Sequence, residues 1–383
     1  MALDGFHLVL MVTHRCNLRC DYCYMGRSRP QSLDPRFGRA AIHRAIRSLR
    51  PGGTLELGFF GGEPLLEAGL VATLLDYALH AAQAVGVTLK PGLTTNGTQR
   101  DGLAWQVMGR TELDLCISHD GLPDVHDRHR RRADGTSTSA EVLETIRRLR
   151  AAGRPVRTVT VVRPDSLERL PEGITWLRAA GVRRFDLTLD VWTVWQAADM
   201  PRLAQALARL ADLWLAGLPE NSINWFDEKA ARLARLPIEP TARCGFGNGE
   251  VAVAPSGRLY PCERLIGEDR GDHPLRLPGH VLDGADFLAS PAIGLSTCAA
   301  CAACAVQPQC NTYCRCNNYL RTGDPTRPDA LLCFLDQVCL RETARVLRGL
   351  AQGRPATRSN EERTHGQRPR PTAAASAPLS AVP

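Results

Sequence analysis

His7-Leu-Val-Leu-Met-Val12 runs through Thr13-His-Arg into Cys16-Asn-Leu-Arg-Cys20-Asp-Tyr-Cys23-Tyr24, an apolar strand followed by three cysteines on one loop. Working outward from this strand at 7–12, apolar runs at 54–59, 87–93, 113–118, 156–162 and 184–189 also read as strands. Between them, residues 35–49, 65–83, 140–152 and 166–180 carry apolar side chains at three-and-four spacing, as helices packed outside a sheet do. Six βα units follow, so the predicted fold class is α/β, a partial (β/α)6 parallel barrel. Such sheets present ligands at the carboxyl ends of their strands, where the cysteine loop begins.

The chain has 383 residues, 44% of them apolar, which is enough for one large domain and a smaller one. A net charge of +7 is modest for this length and predicts no nucleic-acid partner. No run approaches the roughly 20 apolar residues that span a bilayer, and the opening lacks a secretory cleavage pattern, so a cytoplasmic protein without a membrane partner is expected. Fourteen cysteines in such a chain point to metal binding or redox chemistry before disulfides.

Three thiolates from Cys16, Cys20 and Cys23 can hold three irons of a 4Fe-4S cluster and leave the fourth open to a chelating small molecule. A zinc site or buried free thiols are the alternatives, although zinc normally takes four ligands. Cys-x3-Cys-x2-Cys after a first strand, with aromatic Tyr22 before the third cysteine, resembles the radical SAM superfamily signature. Phe60-Gly61-Gly62-Glu63-Pro64 at the second strand's end resembles the family loop that holds the methionyl amino group. Glycines there permit close backbone approach to the ligand. Thr94-Thr95-Asn96-Gly97 and Ser118-His119-Asp120-Gly121, the latter leading into His126-Asp127-Arg128-His129-Arg130, follow the third and fourth strands. The resemblance implies that Tyr22, Gly61, Gly62, Glu63, Thr95, Asn96, Ser118 and Arg130 bind S-adenosylmethionine, with Ser118 and Arg130 on its carboxylate. His119 replaces the aliphatic residue usual in the family.

Beyond Arg243 the chain reads Cys244-x12-Gly257-x4-Cys262, then Cys301-x2-Cys304-x5-Cys310-x3-Cys314, then Cys333 after eighteen residues. Every spacing is similar to the seven-cysteine SPASM arrangement of radical SAM peptide and protein modifiers. Zinc ribbons are the alternative and fit these gaps poorly. The resemblance implies a C-terminal cysteine-rich iron-sulfur domain, in which Cys301, Cys304, Cys310 and Cys333 hold one auxiliary cluster. Cys244, Cys262 and Cys314 would hold three corners of the other, giving three 4Fe-4S clusters in all. The fourth corner is unassigned, since residues 236–242 contain no cysteine: another residue completes the cluster, or one iron is left for a substrate thiolate, and Cys316 is a stand-in ligand or, like Cys298 and Cys339, a small buried hydrophobe. Cys116, on the strand face of Ser118, reads as a packed thiol. The expected domains are a radical SAM core at 1–198, a helical linker at 199–242, an auxiliary-cluster domain at 243–350 and a disordered tail at 351–383, which is rich in Pro, Ala, Ser and Arg.

The resemblance implies a maturase that forms a 5′-deoxyadenosyl radical, takes hydrogen from a peptide or protein side chain and forms a thioether, ether or carbon-carbon cross-link in a ribosomally made peptide. An electron donor such as flavodoxin or ferredoxin is implied. Because the first strand begins within ten residues of Met1, no fused leader-binding domain is expected, and a separate leader-peptide-binding protein is the counterpart. Glu263, after Cys262, stands where sulfatase-maturing relatives carry a catalytic Asp, which keeps formylglycine formation as an alternative. A non-catalytic metal-binding module is the third reading.

Overall fold

The computed structural model describes residues 2–237, 244–288, 298–310 and 314–352. Strands β1 (Leu3–Thr13), β2 (Leu49–Gly61), β3 (Thr88–Thr95), β4 (Asp114–Ser118), β5 (Arg157–Val162) and β6 (Arg184–Leu189) cover the six expected positions. They pair in parallel in chain order. Helices α1 (Pro35–Arg47), α2 (Ala68–Ala84), α3 (Gly102–Gly109), α4 (Pro123–His129), α5 (Ser139–Ala151) and α6 (Leu170–Ala179) fill the crossovers. The helical run expected at 166–180 opens as a tight 3-10 turn over Pro164–Arg169 before α6 begins. Pro171, lacking an N–H, sits in the first turn of α6, where none is needed.

Two further helices, α7 (Asp199–Ala216) and α8 (Asn224–Leu233), flank β7 (Ser222–Ile223), a two-residue strand too short to leave a periodic signal. The hairpin β8 (Glu250–Val253) and β9 (Leu259–Tyr260) turns at Gly257, whose φ of +82° suits glycine. α9 (Ala299–Ala302) and α10 (Arg315–Thr322) lead to α11 (Ala330–Ala351). Among the described residues the sheet has nine strands in the order β7-β6-β5-β4-β3-β2-β1-β8-β9 and stays open. β8 pairs in parallel with β1, His7 facing Glu250, so the cysteine-rich region is joined directly to the sheet. Residues 238–243 and the tail from 353 lie outside the described residues.

Alternation along β1 sorts its side chains between two environments. Phe6, Leu8, Leu10 and Val12 enter the main core beneath the helices. Val9 and Met11 face the opposite side with Met25, Ala252 and Tyr260. One helical stretch among the described residues, Pro64–Ala84, is long and apolar enough to cross a membrane. Val71, Leu74, Leu75, Ala78 and Ala82 at helical spacing bury its inner face in the core. α11 was not foreseen: its 22 residues follow a loop-like, cysteine-rich stretch. Asp329 caps it by accepting from Leu332 N at 3.0 Å, and Leu331, Val338 and Val346 bury its apolar face in the core shared with α7.

Candidate functional site

The carboxyl ends of the first six strands open onto one cavity of about 270 Å³. The loop after β1 brings Cys16, Cys20, Tyr22 and Cys23 to its wall. That loop is fixed at both margins: Leu33 N donates to Val12 O at 2.9 Å, and Arg19 N to Arg131 O at 2.6 Å. Cys16 N donates to Ser28 Oγ at 3.0 Å. Burial raises the Cys16 thiol to about 12 and the Cys20 thiol to about 11. Metal coordination is what makes such buried thiolates favourable. Three thiols without a fourth protein ligand fit a cluster better than a single zinc, which normally takes four.

Gly61 and Gly62 line the same cavity, and the reason for glycine differs from the expected one. A Cβ on Gly61 would lie 2.6 Å from Thr13 O, and one on Gly62 2.3 Å from Arg15 O. The close approach is to the cysteine loop itself. Gly62 N donates to Thr13 O at 2.7 Å and Glu63 N to Arg15 O at 2.8 Å, clamping the two strand ends together.

Glu63 is fully buried, and its carboxylate is engaged by its own chain. It accepts from Thr95 Oγ1 at 2.6 Å, Asn96 N at 2.7 Å and Leu65 N at 3.0 Å. Burial raises its pKa against these three donors. Glu63 therefore fixes the turn that puts Thr95 and Asn96 at the cavity, where Asn96 Nδ2 donates to Asn17 Oδ1 at 2.9 Å.

Ser118 and Arg130 occupy the next sector. Arg130 Nε donates to Asp120 Oδ2 at 2.9 Å, Val161 N donates to Asp120 Oδ1 at 3.1 Å, and the Tyr22 hydroxyl also donates to Asp120. The Arg130 guanidinium lies 5.2 Å from the Tyr22 ring centre. Asp120 thus orients two of the expected ligand-binding residues, a role its place in Ser118-His119-Asp120-Gly121 did not reveal. His119 points away from the cavity, with its ring 4.1 Å from that of His126 and 5.5 Å from that of Trp176. Its Nδ1 accepts from Gly121 N at 3.2 Å, and burial lowers its pKa to about 4, so it packs as a neutral ring. Cys116 is buried at the cavity floor.

The C-terminal region closes the opposite side. A short turn, Glu263–Leu265, places Glu263 and Arg264 in the cavity wall. Behind it, Cys262 and Cys316 share an apolar nest with Phe246 and Leu265, and Cys244 and Cys314 pack against it. The Cys314 and Cys316 sulfurs are 3.4 Å apart, and Cys262 donates to Glu263 Oε2 at 3.3 Å. Glu250, Cys262 and Glu263 bring ligand atoms within 4.8 Å of one another, but Glu250 already accepts from Gly245 N at 2.8 Å and Phe246 N at 3.2 Å. Farther out, burial raises the Cys333 thiol, and nearby Cys310 and Cys304 raise it further. Cys298 caps α9 through Cys301 N at 3.3 Å, and Cys339 is buried in the main core. Lys229, missed in the sequence because a lone lysine on a helix carries no signal, donates to Gln309 O at 2.9 Å and pairs with buried Asp336. It ties the Cys310 loop to α8 and α11.

Comparison with known proteins agrees with this geometry. Residues 10–177 match the model of the Radical SAM superfamily. An uncharacterised protein of Methanocaldococcus jannaschii is 29% identical over 188 residues, which are 49% of this chain and 64% of the relative. The match thus spans somewhat under two thirds of that relative. PqqA peptide cyclase of Gluconobacter oxydans is 25% identical over 261 residues, 67% of this chain and 69% of the cyclase. Among solved structures, native anSMEcpe with bound AdoMet and Kp18Cys peptide superposes with a TM-score of 0.74 at 16% identity, covering 91% of this chain and 99% of that one. The last likeness establishes the fold. A Radical SAM domain implies S-adenosylmethionine and a 4Fe-4S cluster, and the cavity-lining thiols meet that requirement. The chain carries the domain of the Radical SAM enzyme superfamily.

Proposed function

We infer that this chain is a peptide- or protein-modifying maturase. When bound, the cluster and S-adenosylmethionine supply a 5′-deoxyadenosyl radical. Cys16, Cys20 and Cys23 would hold the cluster, and the Gly61–Gly62 turn with Thr95 and Asn96 would face the cofactor's amino end. Ser118 and Arg130 would take its carboxylate, Arg130 keeping N–H groups free beyond its bonds to Asp120. The observation that carries the reading is the single cavity lined both by this set and by Glu263 and Arg264 of the cysteine-rich region. A side chain entering there meets the cofactor on one face and the C-terminal region on the other.

Two auxiliary clusters belong to this reading, one on Cys301, Cys304, Cys310 and Cys333 and the other on Cys244, Cys262 and Cys314. The sulfur contact between Cys316 and Cys314 supports Cys316 as the fourth ligand of the second, with Glu250 occupied by backbone donors. In this reading the core would span 1–198, the linker 199–242 and the auxiliary region 243–350. A flavodoxin or ferredoxin would supply electrons, and a separate leader-binding protein would deliver a ribosomal peptide for cross-linking. The relatives' printed names support a peptide substrate. Glu263 in the cavity wall favours formylglycine formation as the second reading.

The test is anaerobic incubation of reduced, reconstituted enzyme with S-adenosylmethionine and peptides encoded beside its gene, alongside a sulfatase peptide. The expected products are 5′-deoxyadenosine and a gene-neighbour peptide lighter by two hydrogens. An aldehyde on the sulfatase peptide selects the second reading, and no 5′-deoxyadenosine from cluster-loaded enzyme overturns both.

A further inference from the structure

Three arginines line the cavity, and two have acidic partners. Arg130 pairs with Asp120, and Arg157 with Asp114 and Asp186. Arg264 differs. Its Nη1 donates to Asn317 Oδ1 at 2.7 Å, its Nη2 to Thr188 Oγ1 at 3.0 Å, and the guanidinium lies 5.9 Å from the Trp192 ring centre. All three partners are neutral. Among the described residues no carboxylate lies within ion-pair distance of it. Each terminal nitrogen keeps a second N–H, and Nε keeps its own, so a planar fork remains available to an incoming anion. Cys316, Cys314 and Glu263 act on the guanidinium electrostatically, but none of them takes its remaining N–H groups, which stay open to a ligand carboxylate.

Its surroundings indicate where the carboxylate would come from. Trp192 stacks on Tyr24 with ring centres 5.3 Å apart, and Tyr24 on Phe60 at 6.3 Å, making an aromatic shelf beside Arg264. Trp192 is 42% exposed and nearby Val194 is 73% exposed, so the shelf continues outward as an apolar rim. Arg130, in contrast, sits by Cys20 and Tyr22, on the side expected to hold the methionyl group.

We propose that Arg264 is a specificity-determining residue that grips a substrate carboxylate, selecting peptides with an Asp or Glu near the reacting residue. This rests on the peptide-modifying reading above.

The experiment is affinity selection of a randomised displayed peptide library on anaerobic holoenzyme with S-adenosylmethionine present, using wild type and Arg264→Gln of matched iron content. Wild type is expected to enrich Asp and Glu, and Arg264→Gln to lose that enrichment. The affinity of a selected acidic peptide should fall about tenfold to a hundredfold in the variant, as for loss of a charge-assisted pair. Changing the peptide's Glu to Gln should cost wild type a similar factor and the variant little. Enriched peptides without acidic bias, or the same bias in both proteins, overturn the proposal and leave the peptide reading standing. No enriched peptide from either protein counts against the peptide reading itself. Equilibrium dialysis with S-adenosylmethionine and a redox titration of the clusters separate the other sources of charge. Weakened S-adenosylmethionine binding with unchanged peptide selection assigns Arg264 to the cofactor carboxylate. A shifted auxiliary-cluster potential with unchanged selection assigns it to charge compensation at Cys314 and Cys316. Either result overturns the proposal.

Discussion

Replacing Gly62 with alanine tests whether the second strand's end sets the position of the cysteine loop. The new Cβ would stand 2.3 Å from Arg15 O and 2.9 Å from His14 O. Both are backbone atoms, so no side chain can swing aside. To reach ordinary contact the loop must retreat by about 1 Å. That shift breaks the bonds from Gly62 N to Thr13 O and from Glu63 N to Arg15 O, now 2.7 and 2.8 Å. At about 1 kcal/mol each, with some residual strain, the loss is about 2–3 kcal/mol of stability. Cys16 follows Arg15 directly and moves with it, and a displacement of this size in a reacting constellation costs on the order of a hundredfold in rate. The assay is 5′-deoxyadenosine formation under anaerobic reduction, read beside denaturant unfolding. Gly62→Ala within about threefold of wild-type rate and unchanged in unfolding midpoint would refute the reasoning.

Lys229→Met leaves Asp336 buried without its cation, and denaturant titration should show a loss of about 3–5 kcal/mol. Adding Asp336→Leu should recover most of it, and a single variant as stable as wild type contradicts the pairing. His119 gives a pH dependence: burial lowers its pKa from 6.5 to about 4, so the folded state binds fewer protons than the unfolded state between those values. Stability therefore rises with pH from about 4 to 6.5, by up to about 3 kcal/mol, and is lost again as pH falls through that window. His119→Leu should flatten the slope, and an unaltered slope contradicts the account. Cys316→Ala should lower iron content by up to about four per chain, one 4Fe-4S cluster's worth, whereas Cys339→Ala, in the apolar core, should leave it unchanged. Equal iron in both variants removes Cys316 from the ligand set.

The strand-helix alternation was legible because the core strands show apolar residues in a run, as in Leu8–Val12, or in alternation, as in Phe185, Leu187 and Leu189, and most of the crossover helices keep a three-and-four spacing. β7 and α11 were not. Two residues at Ser222–Ile223 cannot show a period, and the apolar stripe of α11 is interrupted by Cys333, Asp336 and Glu342. The cavity set was legible because each motif ends a strand of one parallel sheet, so chain order became spatial adjacency. What escaped were residues that act through others. Asp120 looked like part of a turn yet holds Tyr22 and Arg130. Gly61 and Gly62 were singled out for close approach to a ligand, whereas the close approach in the structure is to Thr13 and Arg15. Arg264 was hidden among forty-five arginines, and what distinguishes it is that its two hydrogen-bond partners among the described residues, Asn317 and Thr188, are neutral.

The central claim is that Cys16, Cys20 and Cys23 hold a cluster separate from those of the C-terminal region. Iron and zinc per chain after anaerobic reconstitution, in wild type and in the triple Cys16→Ala, Cys20→Ala, Cys23→Ala variant, test it most directly. The account expects about twelve irons in wild type and about eight in the variant. Equal iron in the two proteins, or wild type carrying tightly bound zinc with little iron, would contradict it.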